Sequence, residues 1–276
     1  MRKRRWQAIG GIAGLALIGL AMIAPFLYMV SVSLMGEAEL LRWPPALIPT
    51  TPTTSNYVAA LEALSYPRVF LNTALLAGCV MLGQVLTSAA AGYAFARMRF
   101  AGRDGVFATV VAMLAVPAFL LLIPRYRLIS TLGWVDTYPG LISTELVSVW
   151  GIFLMRQSFL MLPRDVEDAA RLDGAGEWTL FWRVALPLAK PAVAAVALLA
   201  FMDQWRSFLW PLAVTRSPEM EVAELALAHV HTTYAGNWPY QMAAAVLVTL
   251  PVLLICVMAQ RSLMLGARVT GGSVRL

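Results

Sequence analysis

The chain has 276 residues, of which 60% are hydrophobic and 13% are charged. Soluble domains carry about 25% charged residues, so this composition excludes an ordinary soluble protein and predicts a polytopic membrane protein. The formal net charge of +6 does not indicate nucleic-acid binding, because the basic residues form short clusters between apolar runs. Loop orientation in a membrane explains that pattern.

The first apolar run follows a basic amino-terminal cluster, as in a signal peptide. Its uncharged stretch covers 6–36, whereas the apolar core of a signal peptide has about 7 to 15 residues. We therefore interpret it as a retained first span. The two cysteines, Cys79 and Cys256, also lie inside apolar runs, so neither a disulfide framework nor a metal site is implied.

Six segments are long and apolar enough to cross a bilayer. A spanning helix needs about 20 mostly apolar residues, because each residue adds about 1.5 Å and the hydrocarbon core is about 30 Å thick. The segments are 9–34, 69–96, 106–123, 138–155, 192–214 and 240–260. The predicted fold is therefore an all-α polytopic membrane protein with six transmembrane helices, in a single domain over 1–276.

Lysine and arginine fall mostly on one side of these predicted spans. Loops rich in these residues stay in the cytoplasm. With the amino terminus inside, fifteen cations lie on the cytoplasmic side and five outside. The outer five are Arg42, Arg68, Arg125, Arg127 and Arg216. We therefore predict that both termini are cytoplasmic.

The first outer segment, 37–67, is rich in proline. Proline lacks an N–H and excludes a long helix, so we predict an extended, partly ordered segment. Such a segment suits a docking surface and a plain connector equally well.

The inner loop at about 156–190, between the fourth and fifth spans, contains a short predicted helix. Asp165 is placed to accept hydrogen bonds from the first backbone N–H groups. Asp168, three residues later, is suited to the reciprocal half of a capping box. Gly174 supplies the left-handed position that ends a helix. The pattern predicts a short capped helix on the cytoplasmic side.

One face of this helix carries small side chains. Val166, Ala169, Ala170 and Asp173 share it at the three-and-four spacing, and the alanines allow another surface to approach the backbone closely. Spacing alone fits an ordinary loop between helices equally well.

The next segment, 177–185, is predicted to be an amphipathic helix at the inner interface. Pro187 and Pro191 are expected to end this element and start the fifth span. Its apolar side consists of Trp178, Phe181, Trp182 and Ala185.

A spaced motif runs through this loop. It consists of Asp168-Ala169-Ala170, three residues, Gly174, nine residues, Val184, one residue and Leu186-Pro187. The spacing resembles the EAA loop of binding-protein-dependent ABC importer permeases, which is Glu-Ala-Ala, three residues, Gly, nine residues, Ile, one residue and Leu-Pro. The departures are conservative, since Asp168 replaces Glu and Val184 replaces Ile.

Other segments are similar to the carbohydrate-uptake branch of that family, the maltose and glycerol-phosphate permease type. They are Asn56-Tyr57, Asn72-Thr73, 92–97, 151–157 and 208–212. The resemblance covers most of the chain. It implies a permease subunit that moves a sugar or a sugar-like solute across the bacterial inner membrane.

The resemblance also implies how transport is driven. In this family the EAA loop forms a coupling helix that sits in a groove of a cytoplasmic ATPase, so closure of two ATPases reorients the spans. The residues carried over to this contact are Val166, Glu167, Asp168, Ala169, Ala170, Asp173, Gly174, Leu186 and Pro187. The implied partners are a second, related permease, two ATPase subunits and a periplasmic or lipid-anchored solute-binding protein, besides the sugar-like substrate and membrane lipid.

The chain itself is predicted not to be an enzyme. A P-loop needs Gly-Lys-Ser or Gly-Lys-Thr, and Lys3 and Lys190 are the lysines of the sequence, neither in such a motif. ATP and Mg²⁺ are therefore expected on the ATPase subunits, with no catalytic residue, cofactor or metal in this chain. Ser-Lys, paired-Asp and His-Glu-x-x-His constellations do not occur with suitable spacing.

Charged residues inside spans mark a candidate pathway, because ionisable groups are costly in a bilayer. The candidates are Glu145, Asp203, Gln204, Trp205 and Arg206, which offer hydrogen bonds and an aromatic ring to a sugar. Asp203 and Arg206 would alternatively form a structural ion pair near the outer interface. The branch shows Gly-Ser-Trp-Asn-Asp at 203–207 and an uncharged residue at Glu145, whose role the sequence does not assign.

Further alternatives stay open. An ion-coupled secondary transporter would use Glu145 or Asp203 as a proton relay, although six spans without an internal repeat argue against it. Another alternative is a metal site at His229 and His231, but side chains two apart on a helix diverge. We interpret them as loop residues that face the binding protein. The sequence specifies neither the solute nor whether the permease pairs with itself or with a relative.

Overall fold

The computed structural model describes the backbone of 2–43 and 46–271 and the side chains of 11, 12, 14–43 and 46–258. Every regular element in these residues is helical, which confirms the predicted all-α class. The α-helices are α1 (Arg2–Ser33), α2 (Glu37–Leu40), α3 (Ser55–Ala63), α4 (Tyr66–Arg97), α5 (Arg103–Ala112), α6 (Leu122–Thr131), α7 (Tyr138–Ile142), α8 (Val149–Met161), α9 (Arg164–Leu172), α10 (Glu177–Thr179), α11 (Leu186–Leu188), α12 (Lys190–Trp205), α13 (Leu209–Val214), α14 (Ala223–Thr233) and α15 (Trp238–Gly271). Short 3₁₀ segments lie at Met113–Ala115, Ala118–Leu121, Ser143–Glu145 and Pro218–Met220, and a π-helix at Leu180–Ala185.

Three helices are each long and apolar enough to cross a membrane: Gly14–Ser33 of α1, the whole of α4, and Trp238–Met258 of α15. Three further candidates consist of two helical pieces joined at a bend. They are Arg103–Ala115 with Ala118–Thr131, Tyr138–Glu145 with Val149–Met161, and Glu177–Leu188 with Lys190–Trp205. The described residues thus contain three single-helix spans, or six if each bent pair is one span. Six spans are compatible with the structure and stay a prediction.

The third predicted span, 106–123, is not one helix. Its two pieces meet at a bend of 97° around Val116 and Pro117. Pro117 has no N–H to continue the helical hydrogen bonds, and a residue before proline avoids helical torsion angles. Val116 is accordingly extended, with φ −83° and ψ 117°. The expectation of one continuous helix is therefore wrong.

The fifth predicted span, 192–214, is also interrupted. α12 ends at Trp205 and α13 begins at Leu209. Pro211 cannot donate a hydrogen bond to the carbonyl of Ser207, so a continuous helix would lose a bond at this point. The residues between the two helices leave the helical path near the charged side chains of this span.

The fourth predicted span, 138–155, bends by 44° between its two pieces. Ser148 Oγ accepts a hydrogen bond from the N–H of Gly151 at 3.2 Å and so caps the start of α8. The carbonyls of Glu145 and Leu146, released at the break, accept hydrogen bonds from α4. Gln84 Nε2 donates to the first at 2.8 Å and Thr87 Oγ1 to the second at 3.0 Å.

The predicted capped helix in the inner loop is α9, which begins earlier than expected. Pro163 is its N-cap residue and no side chain caps it. The prediction that Asp165 and Asp168 form a capping box is therefore wrong, because Asp165 already lies in the first turn, where its charge favours the helix dipole.

The carboxyl end of α9 is as predicted. Gly174 has a φ of +84°, and its N–H donates to Arg171 O at 3.0 Å. The N–H of Ala175 donates to Ala170 O at 3.0 Å. This is a Schellman ending, in which a left-handed residue satisfies carbonyls of the last turn.

The helix after α9 carries the predicted apolar residues. Phe181 and Ala185 are buried, whereas Trp178 and Trp182 are 74% and 43% exposed. The rings of Trp178, Phe181 and Trp182 contact one another, with centroids 6.1, 6.1 and 5.0 Å apart, although Leu180–Ala185 is a π-helix. That this helix lies at the inner interface stays a prediction. The element also continues past Pro187 to Leu188, and the 78° bend into α12 follows there. Proline is tolerated at that point because it lies in the first turn of a helical segment.

Contacts divide the chain into two compact units. Unit 1 consists of Met1–Tyr66 and Ala226–Pro251, and unit 2 of Pro67–Leu225 and Val252–Leu276. The single domain over 1–276 stays a prediction.

In unit 1, polar side chains fasten the carboxyl end of α1. Asn56 Nδ2 donates to Ser33 O at 3.0 Å and to Met35 O at 2.8 Å. The hydroxyl of Tyr57 lies 2.6 Å from Ser33 Oγ. The Asn56-Tyr57 pair therefore has a structural role, since it satisfies carbonyls that the helix end leaves open.

Of the proline-rich segment 37–67, the described residues 37–43 and 46–66 belong to unit 1 and contain more helix than predicted. They include α2 and α3. Glu39 Oε1 accepts hydrogen bonds from the N–H and the Oγ1 of Thr50 at 2.6 and 2.7 Å. These bonds hold the pKa of Glu39 below its usual value.

Unit 2 contains two buried hydrophobic clusters. One consists of Leu76, Val80, Ile129, Leu141, Trp210, Val214, Met220, Val222 and Leu225. The other consists of Ala89, Tyr93, Ala96, Met155, Phe159, Phe181, Ala185, Ala189 and Val196. The second cluster supports the segment after α9, because Phe181 and Ala185 of that segment are part of it.

Candidate functional sites

α9 leaves most of its predicted small-residue face open. Val166 is 44% exposed. Ala169 and Asp173 are exposed and Ala170 is half-buried. We name Val166, Ala169, Ala170 and Asp173 the knob face. Its small side chains and open position suit close packing by another protein.

The opposite side of α9 is anchored to α4 by a buried ion pair. Arg97 Nε lies 3.0 Å from Glu167 Oε1, and the two side chains are only 5% and 8% exposed. Arg97 Nη2 also donates to Leu162 O at 2.6 Å. Removing one partner of such a pair costs about 3–5 kcal/mol, because the other charge stays buried without compensation. Glu167 thus faces the helix bundle, not the knob face.

A second link joins the end of α9 to α4 through Glu177. Arg171 Nη1 lies 2.5 Å from Glu177 Oε1. The hydroxyl of Tyr93, on α4, donates to Glu177 Oε2 at 3.4 Å. Two separate contacts therefore tie the α9 region to the last turns of α4.

Two glycines bring α4 and α8 into close contact. A Cβ on Gly92 would lie 2.7 Å from Met155 Cβ and 2.9 Å from the backbone nitrogen of Arg156. A Cβ on Gly151 would lie 2.4 Å from Ser88 Oγ. The segments 92–97 and 151–157, singled out in the sequence, are thus one helix–helix contact.

Leu186 and Pro187, also expected at the ATPase contact, occupy different environments. Leu186 is half-buried against the second hydrophobic cluster. Pro187 is exposed. Asp168 is exposed as well, on the side of α9 away from the knob face.

The charged residues of the fourth and fifth spans line one cavity of about 450 Å³. Four of the five predicted pathway residues, Glu145, Asp203, Gln204 and Arg206, are among its lining. We name this space the polar cavity. Trp205 does not line it; its side chain is buried, with its ring centroid 5.5 Å from that of Phe70 and 5.4 Å from that of Phe201.

All three broken spans contribute to the polar cavity at or beside their breaks. The lining includes Phe119 and Arg125 after the Pro117 bend, Glu145 before the fourth-span break, and the segment 203–210 around the fifth-span break. Non-helical backbone at membrane depth is tolerated where it borders a polar cavity, and solute sites occur at such interruptions. The interruptions of these three spans therefore coincide with the polar cavity.

Arg125, which the sequence places in an outer loop, is the partner of Glu145. Its Nη2 donates to Glu145 Oε1 and, at 2.7 Å, to Thr144 Oγ1. The guanidinium also lies over the Trp210 ring, 4.2 Å from its centroid, in a cation–π contact. Glu145 is thus a counter-ion within the cavity wall. No local sequence pattern connects it to Arg125.

The alternative ion pair between Asp203 and Arg206 is not formed. Both residues are exposed, and Arg206 Nε donates to Met202 O at 3.3 Å. Arg206 follows the last helical residue of α12, so the side-chain geometry of residues three apart on a helix is lost. Gln204 is 4% exposed, and its Oε1 has no hydrogen-bond partner among the described residues.

Asn72 and Thr73 of α4 hold the segment before α14. Asn72 Nδ2 donates to Glu219 O and Glu221 O, each at 2.8 Å, and the hydroxyl of Tyr138 donates to Asn72 Oδ1 at 2.6 Å. Thr73 Oγ1 accepts from a backbone N–H, that of Ala223, at 2.8 Å. The Asn72-Thr73 pair therefore has a structural role.

His229 and His231 lie in α14, so the prediction that they are loop residues is wrong. His231 Nδ1 is 2.7 Å from Gln241 Oε1. The part of the chain that the structure describes contains no group of three or more metal-ligating side chains. That this chain holds no metal stays a prediction.

Comparison with known families identifies the class of protein. The family model of the binding-protein-dependent transport system inner membrane component matches residues 83–265, and the chain belongs to this family. It is a multi-pass membrane permease component of the ABC importer class, which supports this interpretation over that of an ion-coupled secondary transporter.

Individual relatives cover nearly the whole chain. It is 33% identical over 261 residues to an arabinooligosaccharides transport system permease protein of Halalkalibacterium halodurans, with 94% of each chain covered. It is 31% identical over 255 residues to the sn-glycerol-3-phosphate transport system permease protein of Rhizobium meliloti, covering 89% of this chain and 90% of the relative.

Two solved structures share the fold. One is a bacterial ABC transporter involved in the import of the acidic polysaccharide alginate, with a TM-score of 0.81, 23% identity, and coverage of 95% of this chain and 98% of that chain. The other is an alginate ABC transporter in complex with an alginate pentasaccharide-bound periplasmic protein, with a TM-score of 0.67, 15% identity and 93% of each chain covered.

Proposed function

We propose that this chain is the permease subunit that moves a sugar or a sugar-like solute into a bacterial cell, driven by ATPase subunits that are separate polypeptides. α9 is the coupling helix in this proposal. The observation that carries it is the two-sided environment of α9, which has an open knob face and a buried ion pair to α4 on its other side.

The anchorage of α9 suits a mechanical link. A force on the knob face reaches α4 through the Arg97–Glu167 pair and through Glu177, which contacts both Arg171 and Tyr93. α4 in turn contacts α8 without space for a methyl group at Gly92. Because close-packed elements shift between discrete arrangements, displacement of α9 is expected to reorient these helices as a body.

The polar cavity suits the solute pathway. It combines two carboxylates, two guanidinium groups, the amide of Gln204 and the rings of Phe119 and Phe208. Such groups meet both the hydroxyls and the apolar faces of sugar rings. Glu145 has Arg125 as a counter-ion in the cavity wall. The family match supports the ATP-driven mechanism over ion coupling.

The remaining subunits follow from the same proposal. A second permease, homologous or identical, completes the pathway; two ATPases bind ATP and Mg²⁺; and a periplasmic or lipid-anchored binding protein delivers the solute. Support comes from the transport systems named for the relatives, which carry arabinooligosaccharides and sn-glycerol 3-phosphate, and from the alginate transporter with its periplasmic protein. The excess of cations on one side of the predicted spans supports a cytoplasmic location for both termini.

One experiment tests this assembly. The chain is purified with an affinity tag from its native membrane under mild detergent, and the co-eluting polypeptides and their ligand are identified by mass spectrometry. We expect an ATPase, a second permease and a solute-binding protein that carries a saccharide. An assembly without any ATPase would refute the proposal.

A second measurement separates ATP drive from ion coupling. Uptake in cells should stop when ATP is depleted and continue when a proton uncoupler is added with ATP maintained. Loss of uptake with the uncoupler alone would favour the secondary transporter.

A further inference from the structure

A second, charged face of α9 lies opposite the knob face. Arg164, Glu167, Asp168 and Arg171 share it at positions i, i+3, i+4 and i+7. These residues and the turn between α4 and α5 line a cavity of about 470 Å³. We name it the arginine cavity. Its lining from the turn includes Arg97, Met98, Arg99 and Arg103.

The arginine cavity has more cations than its carboxylates neutralise. Arg97 pairs with Glu167, Arg171 with Glu177 and Arg103 with Asp104. The side chains of Arg99 and Arg164 have no ion-pair or hydrogen-bond partner among the described residues. Asp168 is the remaining carboxylate of the lining. The cavity therefore carries a net positive charge and suits an anion.

The position of the turn indicates which anion. α4 is a candidate span that ends at Arg97, and the next candidate span begins at Arg103, so 98–102 lie where the chain leaves and re-enters the membrane. Arg99 stands between Met98 and Phe100, whose side chains are 41% and 44% exposed. At a membrane boundary such apolar side chains insert among acyl chains while a neighbouring guanidinium reaches the headgroups.

We propose that the arginine cavity binds the phosphate of an anionic phospholipid headgroup, with Arg99 and Arg164 as its two charged contacts. One contact lies on the α4–α5 turn and the other is the first residue of α9, so the lipid ties this helix to the bilayer. A protein bound to the knob face leaves the site accessible, because the two faces of α9 point in opposite directions. The site is separate from the polar cavity, because the two share no lining residue.

The test is a lipid titration of the purified full-length chain in its native complex, in neutral detergent. Fluorescent phosphatidylglycerol is added to the unchanged protein, to Arg99→Gln/Arg164→Gln, and to the control Arg127→Gln/Arg183→Gln. The control removes the same charge from exposed arginines outside the cavity. Each arginine near an anionic membrane surface strengthens binding about fivefold, so we expect the first variant to bind about 30-fold more weakly. The control and the charge-preserving Arg99→Lys/Arg164→Lys variant should retain binding.

Four results would overturn the proposal. The first is equal affinity of the cavity variant and the control. The second is equal binding of zwitterionic phosphatidylcholine, which would show a contact that does not depend on headgroup charge. The third is displacement of phosphatidylglycerol by inorganic phosphate at the same concentration as the lipid, which would show a free-anion site. The fourth is lipid binding that appears only after the ATPase is removed, which would show that a protein surface fills the cavity.

Discussion

Two arginine–glutamate pairs in unit 2 differ in how deeply they are buried. The side chains of Arg97 and Glu167 are 5% and 8% exposed, whereas those of Arg125 and Glu145 are 24% and 20% exposed and border the polar cavity. A buried pair is costly to open, because neither charge finds water, while a partly exposed pair exchanges contacts with water or solute more easily. The same residue types thus form a buried contact beside α9 and a partly exposed contact in the wall of the polar cavity.

The largest expected effect is that of Arg97→Met. It leaves the carboxylate of Glu167 buried without a partner and should destabilise the chain by about 3–5 kcal/mol. The double variant Arg97→Met/Glu167→Leu should recover much of this loss, since no charge is then buried. Thermal unfolding of the purified protein measures both.

The matched control for this prediction is Asp104→Asn, because Asp104 pairs with Arg103 but is 76% exposed. Its cost should be far smaller than that of Arg97→Met, because water screens an exposed pair. Equal destabilisation by Arg97→Met and Asp104→Asn would show that burial does not distinguish these pairs.

The next effect in size concerns the end of α9. Gly174 has a φ of +84°, and a residue with a Cβ pays about 1–2 kcal/mol in that conformation. Gly174→Asp should leave membrane insertion largely intact and abolish uptake by disturbing α9. Membrane fractionation and a transport assay measure the two properties.

Gly176→Asp is the control for Gly174→Asp. A Cβ at either glycine meets no atom within 4 Å, but Gly176 has a φ of −77°, so only the backbone conformation differs. Normal uptake with Gly174→Asp would contradict a coupling role for α9, and equal loss in both variants would point to the added charge.

A smaller change in stability is expected for Glu145→Gln. Arg125 keeps its contacts with Thr144 and Trp210, and water reaches the pair, so the cost should be about 1 kcal/mol. Uptake should nevertheless change, because the guanidinium in the cavity wall loses its counter-ion. Glu62→Gln, at an exposed position outside the cavity, is the control. A stability loss as large as that of Arg97→Met would show that the two ion pairs do not differ in this way.

The smallest effect sharpens the comparison with a carboxylate that accepts hydrogen bonds from backbone N–H groups. Asp136 Oδ1 accepts from the N–H groups of Arg216 and Ser217 at 2.8 and 3.1 Å. Burial acts to raise the pKa of Asp136, but these donors, together with the Ser217 side chain and the charge of Arg216, outweigh it and the pKa lies below its usual value. Its contribution to stability is therefore present above the unfolded value of about 3.9 and is lost as pH falls through the folded pKa. Thermal unfolding between neutral and acidic pH should depend less on pH in Asp136→Asn; unchanged dependence would contradict this role.

The sequence predicts those features that depend on composition and local spacing. Long apolar segments predict the helical class, and Gly174 predicts the end of α9, because its left-handed conformation is a local requirement. Charges within spans are costly, which is sufficient to single out Glu145, Asp203 and Arg206 as candidates; that they line one cavity follows from the structure alone.

Features that depend on packing are not predictable in this way. Arg125 and Glu145 are 20 residues apart, so nothing local connects them. Helical spacing gives the angle between the Glu167 and Val166 side chains on α9. It does not show which of the two sides packs against the helix bundle. Pro117 and Pro211 do carry a local signal for helix breaks, which the apolar length of their segments conceals.

The hydrogen bonds from Gln84 and Thr87 to the carbonyls of Glu145 and Leu146 have a consequence for membrane adaptation. Since these carbonyls would otherwise face hydrocarbon, straightening the corner between α7 and α8 would leave two acceptors and the Gln84 amide donor without partners. We therefore expect the protein to adapt to a thinner or thicker bilayer by tilting other helices, while the angle between α7 and α8 stays constant.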